Sequence, residues 1–173
     1  MNLVHRIIFL CLLGGHVMAD NQELVLQLDQ GDVIIELRDD LAPKHVARIK
    51  ELVGRGFYDG LNFHRVIDNF MAQTGDPLGN GTGGSGQHLT AEFSDANHVR
   101  GTVSMARAQD PNSADSQFFI CFQEAAWLDG QYTVWGQVTS GMEHVDAIKK
   151  GHAHSGTVEN PDKIVKMYLR EKA

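Results

Sequence analysis

The chain has 173 residues, with 22 acidic and 15 basic side chains for a formal net charge of -7, and it is 42% hydrophobic and 21% charged. That length suits one domain with a real core and is short for two, and the composition excludes a disordered chain. The charges are scattered with no basic stripe, which excludes nucleic acid as an expected partner.

In chain order, residues 1–19 (MNLVHRIIFLCLLGGHVMA) carry Arg6, an apolar run from Ile7 to Leu13, and then Val17-Met18-Ala19. Small residues before a cut after Ala19 fit a signal peptide, and so a periplasmic or secreted protein. The run is too short to span a bilayer as a helix, so no stable membrane anchor is expected. A second reading stays open: Met18 is itself a start, with Gly14-Gly15 encoded by a ribosome-binding GGAGGN, and the protein is cytoplasmic. On either reading the folded domain is 20–173.

Leu24, Leu26 and Leu28 alternate with polar residues, as do Val33, Ile35 and Leu37 after Gln30-Gly31, which predicts an opening β-hairpin. Pro43 starts a helix whose buried face is Val46, Ile49, Leu52 and Val53, and Gly54 and Gly56 stop it. Two short strands follow, LNFHRVI and FMAQTGD, and then PLGNGTGGSGQ, expected as a flexible loop. Further strands are predicted at 101–106, 117–122, 133–138 and 163–169. A second helix is predicted from Met142 to Lys149, with Val145 and Ile148 inward. Many short strands with glycine turns and two helices predict a mainly β fold, a closed barrel capped by helices.

Several motifs carry less than they promise. Gly79, Gly81 and Gly84 have GxGxxG spacing, but no helix follows, so a dinucleotide site is not expected. Ser85 in GGSGQ misses the nucleophile elbow by one residue. His152 and His154 lack the further ligands a metal centre needs, and no cofactor is expected. Cys121 in QFFICF reads as a buried, inert thiol. In a strand, His64 would face away from Arg65 and hydrogen-bond structurally. What stands out is FHRVIDNFMAQTGDP, where Arg65 and Gln73 are interleaved with Phe70 and Met71. This is either ordinary alternation or a pair of polar heads aimed into an apolar pocket.

FHRVIDNFMAQTGDPLGNGTGGSG, GTVSMARAQDPNSADSQFFICF and WLDGQYTVWGQVTSGMEHVDAI, in this order, resemble the cyclophilin-type peptidyl-prolyl cis–trans isomerases, with similarity from about Glu23 to Leu169. The resemblance implies an eight-stranded antiparallel β-barrel closed by two helices, acting as a monomer on proline-containing polypeptides. It implies catalytic roles for Arg65, Phe70 and Gln73. It also implies a proline pocket of Phe70, Met71, Phe119 and Leu128, and substrate-backbone contacts from Gln73, Gln117 and the main chain of Ala106, Arg107 and Ala108. Trp127 matches the tryptophan that contacts cyclosporin in many members. Tyr132 stands where the best-known eukaryotic members have histidine, and Arg107 where they have asparagine. The rival reading is a peptide-binding or chaperone module that keeps the pocket with little turnover.

Overall fold

The computed structural model describes residues 21–172, so the leader reading of residues 1–19 lies outside the described residues. The first hairpin pairs β1 (Gln22–Leu28) with β2 (Gly31–Leu37). Helix α1 (Pro43–Gly54) follows, then β3 (Arg65–Ile67), β4 (Met71–Thr74), β5 (Thr102–Met105), β6 (Phe118–Cys121) and β7 (Val134–Ser140). A short helix α2 (Met142–Asp146) and β8 (Lys166–Glu171) complete the order. All eight strands form one antiparallel sheet in the order β3-β4-β6-β5-β7-β2-β1-β8.

The ladder is open, where the sequence predicts a closed barrel: β3 and β8 lie at its two ends. The gap is spanned by irregular chain before each edge strand. Gly60 N–H donates to Ile164 O at 2.7 Å, Phe63 N–H to Asp162 O at 2.9 Å, and Asn62 forms an isolated bridge with Lys163. Pro161 lies in this segment and has no N–H to give a ladder. The last strand starts at Lys166, three residues later than the alternation of Ile164 and Val165 predicts, although their N–H groups already donate to Leu61 O and Gln27 O, each at 2.9 Å.

The curved sheet encloses a core of Leu24, Leu26, Ile35, Val103, Phe118 and Trp135, each almost fully buried, with α1 packing Val46, Ile49, Leu52 and Val53 against it. The start of α1 has no side-chain cap of its own. Glu92 supplies one from afar, accepting the N–H groups of Lys44 at 3.1 Å and His45 at 2.9 Å, which satisfies two otherwise orphaned donors. Helix α2 is shorter than predicted and ends at Asp146, although Val145 and Ile148 are buried as expected. Beyond it, Lys149 N–H donates to Asp162 Oδ2 at 2.8 Å, which ties this segment to the loop before β8 instead of to a further helical turn.

Candidate functional site

β3 and β4 form a tight hairpin over Asp68, Asn69 and Phe70, and Asn69 takes φ 58, a left-handed value that asparagine tolerates. This register sets Arg65 opposite Gln73, and β6 sets Phe119 on the far side of Gln73. Side chains alternate across these short strands. Val66, Ala72, Phe118 and Ile120 enter the main core, while Met71, Phe119 and Cys121 join a second apolar cluster with Ala125 and Leu128. Phe70, Ala106 and Tyr132 pack on that second cluster.

Above the cluster opens a cavity of about 590 Å³, lined by Arg65, Phe70, Met71, Gln73, Ala106, Arg107, Phe119, Trp127, Leu128 and Tyr132, together with His64, Gly79, Asn80, Gly81 and Thr157. A neighbouring hollow of about 300 Å³ begins at Gln73 and is bordered by Ala108, Ser113 and Gln117. The chain thus brings all twelve predicted site residues to these two adjoining hollows, which share Gln73, Ala106 and Arg107. A single 3₁₀ turn (Ala126–Leu128), which the sequence pattern does not predict, supplies both Trp127 at the rim and Leu128 in the floor. Trp127 is 61% exposed and leans on Phe70, ring centroids 5.4 Å apart.

The polar wall is a directed relay. Arg65 Nη1 donates to Gln73 Oε1 at 3.3 Å, and Gln73 Nε2 donates to Gln117 Oε1 at 3.0 Å. Gln117 Nε2 in turn donates to the carbonyls of Gly81 at 3.1 Å and Gly83 at 2.8 Å. Arg65 Nε is held by the Ser155 carbonyl at 3.2 Å. On the opposite wall the two departures from the eukaryotic pattern touch each other. The Arg107 guanidinium lies 4.6 Å over the Tyr132 ring and donates to the carbonyls of Gln131, Ala108 and Gln109. Tyr132 meets Phe119 edge-on at 5.9 Å.

Two expectations change, and the reading of Ser85 as no nucleophile holds. His64 lies just before β3, outside the pleat, and lines the same cavity as Arg65. Burial pushes its pKa down, against the raising pull of the nearby Asp76 carboxylate, the Asn62 backbone and the Gln117 side chain, so the neutral ring is favoured. The glycine-rich loop is not a free surface loop. Asp76 and Asp115 collect its N–H groups, including Leu78, Asn80 and Gly81 on one carboxylate and Ser85, Gly86 and Gln87 on the other. Ser85 Oγ, far from acting as a nucleophile, accepts from the buried Arg48.

One constellation escaped sequence reasoning. Asp129 Oδ1 lies 3.0 Å from His98 Nδ1, and His98 Nε2 lies 2.9 Å from Ser104 Oγ, a serine–histidine–aspartate arrangement. Its serine is fully buried and also donates to Thr133 O at 3.0 Å, so it is no accessible nucleophile. The His98 ring instead stacks behind Phe119 at 6.2 Å and backs the cleft floor. Cys121 beneath the floor is fully buried, and burial pushes its thiol up to about 12, an inert state.

A family model for the cyclophilin type peptidyl-prolyl cis-trans isomerases matches residues 24–169. The chain belongs to this family. A Brucella suis relative with the curated name "Probable peptidyl-prolyl cis-trans isomerase" is 59% identical over 156 residues, which cover 83% of this chain and 80% of that one. A Helicobacter pylori peptidyl-prolyl cis-trans isomerase is 41% identical over 138 residues, covering 78% of this chain and 84% of its own. Among solved structures, a Cryptosporidium parvum cyclophilin type isomerase crystallised in the presence of the dipeptide Ala-Pro superposes with a TM-score of 0.80 at 28% identity. That match covers 87% of this chain and 99% of the other. The chain is therefore an isomerase of X–Pro peptide bonds, and the eight-stranded sheet with two helices is the fold of its family.

Proposed function

We propose that the cleft works by stabilising a twisted X–Pro amide with Arg65. A planar amide resists rotation by about 20 kcal/mol because resonance gives its C–N bond double-bond character. Rotation breaks no bond, so neither nucleophile nor metal is required. Twisting removes the conjugation and leaves a lone pair on the prolyl nitrogen. A guanidinium donor placed there bonds the twisted state and neither planar isomer, which is differential stabilisation of the transition state.

In this reading Phe70, Met71, Phe119 and Leu128 hold the prolyl ring, while Gln73, Gln117 and the main chain from Ala106 to Ala108 hold the flanking backbone. Arg107 and Tyr132 then form one wall, and Trp127 forms the rim. The observation that carries the reading is the Arg65 Nη1–Gln73 Oε1 contact at the mouth of an apolar cup. It puts a permanent, rigid cationic donor where the low dielectric strengthens its bond.

The decisive variant is Arg65→Ala. It should lower kcat/KM for a prolyl peptide by about 10²–10³-fold, roughly 3–4 kcal/mol, the scale of one lost transition-state donor. Peptide affinity should fall far less, and Arg65→Lys should also be poor because an ammonium lacks the fork. A peptide-binding module with little turnover predicts the reverse: negligible wild-type rate, and a variant that loses affinity. A variant that turns over like wild type removes Arg65 from the mechanism.

We further infer that the enzyme serves exported polypeptides, a reading supported only by the leader-like residues 1–19. N-terminal sequencing of the protein from its native cell should find Asp20 first, in a non-cytoplasmic fraction. A start at Met18 or Ala19 in the cytosol would overturn it.

A further inference from the structure

Asp76 has no assigned part in the cleft, yet it is 1% exposed and lies directly behind the polar wall. Its Oδ1 accepts the Leu78 N–H at 2.8 Å, and its Oδ2 accepts the N–H groups of Asn80 at 3.0 Å and Gly81 at 2.5 Å. Burial alone would push this carboxyl up, but the N–H groups of Leu78, Gly81, Asn80 and Gly83 outweigh it and hold the group below the usual carboxylate value. The carboxylate is thus an ionised post around which the loop is wound. Gly81 follows that winding at φ 90, and a Cβ on Gly83 would come within 2.1 Å of Asp76 Oδ1.

The loop's N–H groups point in to Asp76, and its Gly81 and Gly83 carbonyls point out to Gln117 Nε2. This matters because a glutamine amide is nearly the same shape either way round. Only its partners decide which end donates. A backbone carbonyl can only accept, so Gln117 must turn its amino group to the loop and its oxygen to Gln73. That oxygen can only accept, so Gln73 turns its own amino group toward it and its oxygen toward Arg65. A reversed Gln73 would set an amino group against a guanidinium, two donors with no bond between them.

We propose that Asp76 is a positioning residue for isomerisation: by winding the 78–83 loop it fixes the polarity of the Gln117–Gln73 relay and thereby aims Arg65. The proposal rests on Arg65 acting as described above. It assigns a kinetic role to a buried carboxylate that touches neither substrate nor Arg65.

The test is a double-mutant cycle on the full chain with a prolyl-peptide substrate. Asp76→Asn keeps the volume but has a single acceptor oxygen, so whichever way it turns, its amino group meets backbone N–H groups. The loop must give, and kcat/KM should fall roughly tenfold, the worth of one aligned hydrogen bond, mainly in kcat. In a Gln73→Ala background the same change should cost less than about twofold, because the relay it acts through is gone. The side-chain amide NMR signals of Gln117 should move in Asp76→Asn as well. A purely structural role predicts equal cost in both backgrounds and unmoved amide signals, and that result would overturn the proposal.

Should Asp76→Asn not fold, Gly83→Ala reaches the relay from the loop side with the carboxylate intact. It should show the same non-additivity, and full additivity there overturns the proposal equally. No turnover in the unsubstituted chain would sink the functional reading. Normal turnover that Asp76→Asn leaves within about twofold would sink this inference alone.

Discussion

Phe118 and Phe119 are neighbours on β6 and belong to different structures. Phe118 faces the main core, edge-on to Tyr58 at 5.5 Å and to Trp135 at 5.4 Å. Phe119 faces the cleft, between Tyr132 and the stacked ring of His98. Both are largely buried, so burial alone does not tell them apart. What differs is the far side of each ring, closed by other side chains for Phe118 and bordering an open cavity for Phe119. The strands thus turn one face to the core and the other to the cleft.

The largest effect should come from emptying the closed side. Phe118→Ala should cost about 3–5 kcal/mol of stability in urea unfolding, because the surrounding rings can collapse only partly. The fraction that stays folded should keep most of its kcat/KM. Phe119→Ala should divide the other way, losing less stability than Phe118→Ala because its open side leaves the surroundings more room to relax. Its kcat/KM should drop about tenfold to a hundredfold through lost contact with the prolyl ring. If the two variants lost stability and activity in the same proportion, the division of the strand faces would be wrong.

Acid should act on stability before it acts on chemistry. Rotation about the X–Pro bond transfers no proton, so kcat/KM should be flat from about pH 7 to 9. His45 and His64 are both buried, and burial lowers the pKa of each; at His45 the Glu92 carboxylate at 2.5 Å opposes that shift without overcoming it. The unfolded chain therefore takes up protons near pH 6.5 that the folded chain refuses. Stability is complete above that pH and is lost as pH falls toward the folded values, by up to about 1.4 kcal/mol per histidine per pH unit. Thermal unfolding between pH 8 and 5 should show this decline, with a shallower slope in His45→Asn. A flat profile would remove both histidines from the account.

The smallest effect belongs to the rim. Trp127 is mostly exposed, so Trp127→Phe should leave stability within about 0.5 kcal/mol. Cyclosporin inhibition should weaken about threefold to tenfold through loss of the indole N–H. Inhibition unchanged in the variant would show that the contact implied by resemblance is not made here.

Alternation in β1 and β2, the apolar run of β6 and the 3.6-residue pattern of α1 are written locally, so the sequence by itself determined the opening hairpin, the order of the main elements, the core face of α1 and the mainly β class. The residues that meet in the cleft were marked by the resemblance of the FHR, FMAQTGD and QFFICF blocks to the cyclophilin family; alternation by itself left it open whether Arg65 and Gln73 face a pocket. Three matters were decided only by tertiary structure. The sheet stays open between β3 and β8, where the chain before each edge strand meets only in an isolated bridge and holds a proline with no N–H to give. The glycine-rich loop reads as mobile from its composition, yet it is wound on Asp76 and Asp115, whose acceptor oxygens count only once the loop's N–H groups surround them. The direction of the Arg65–Gln73–Gln117 relay has no sequence signal at all, since an amide side chain acquires a polarity only from partners that long-range folding brings within hydrogen-bond distance.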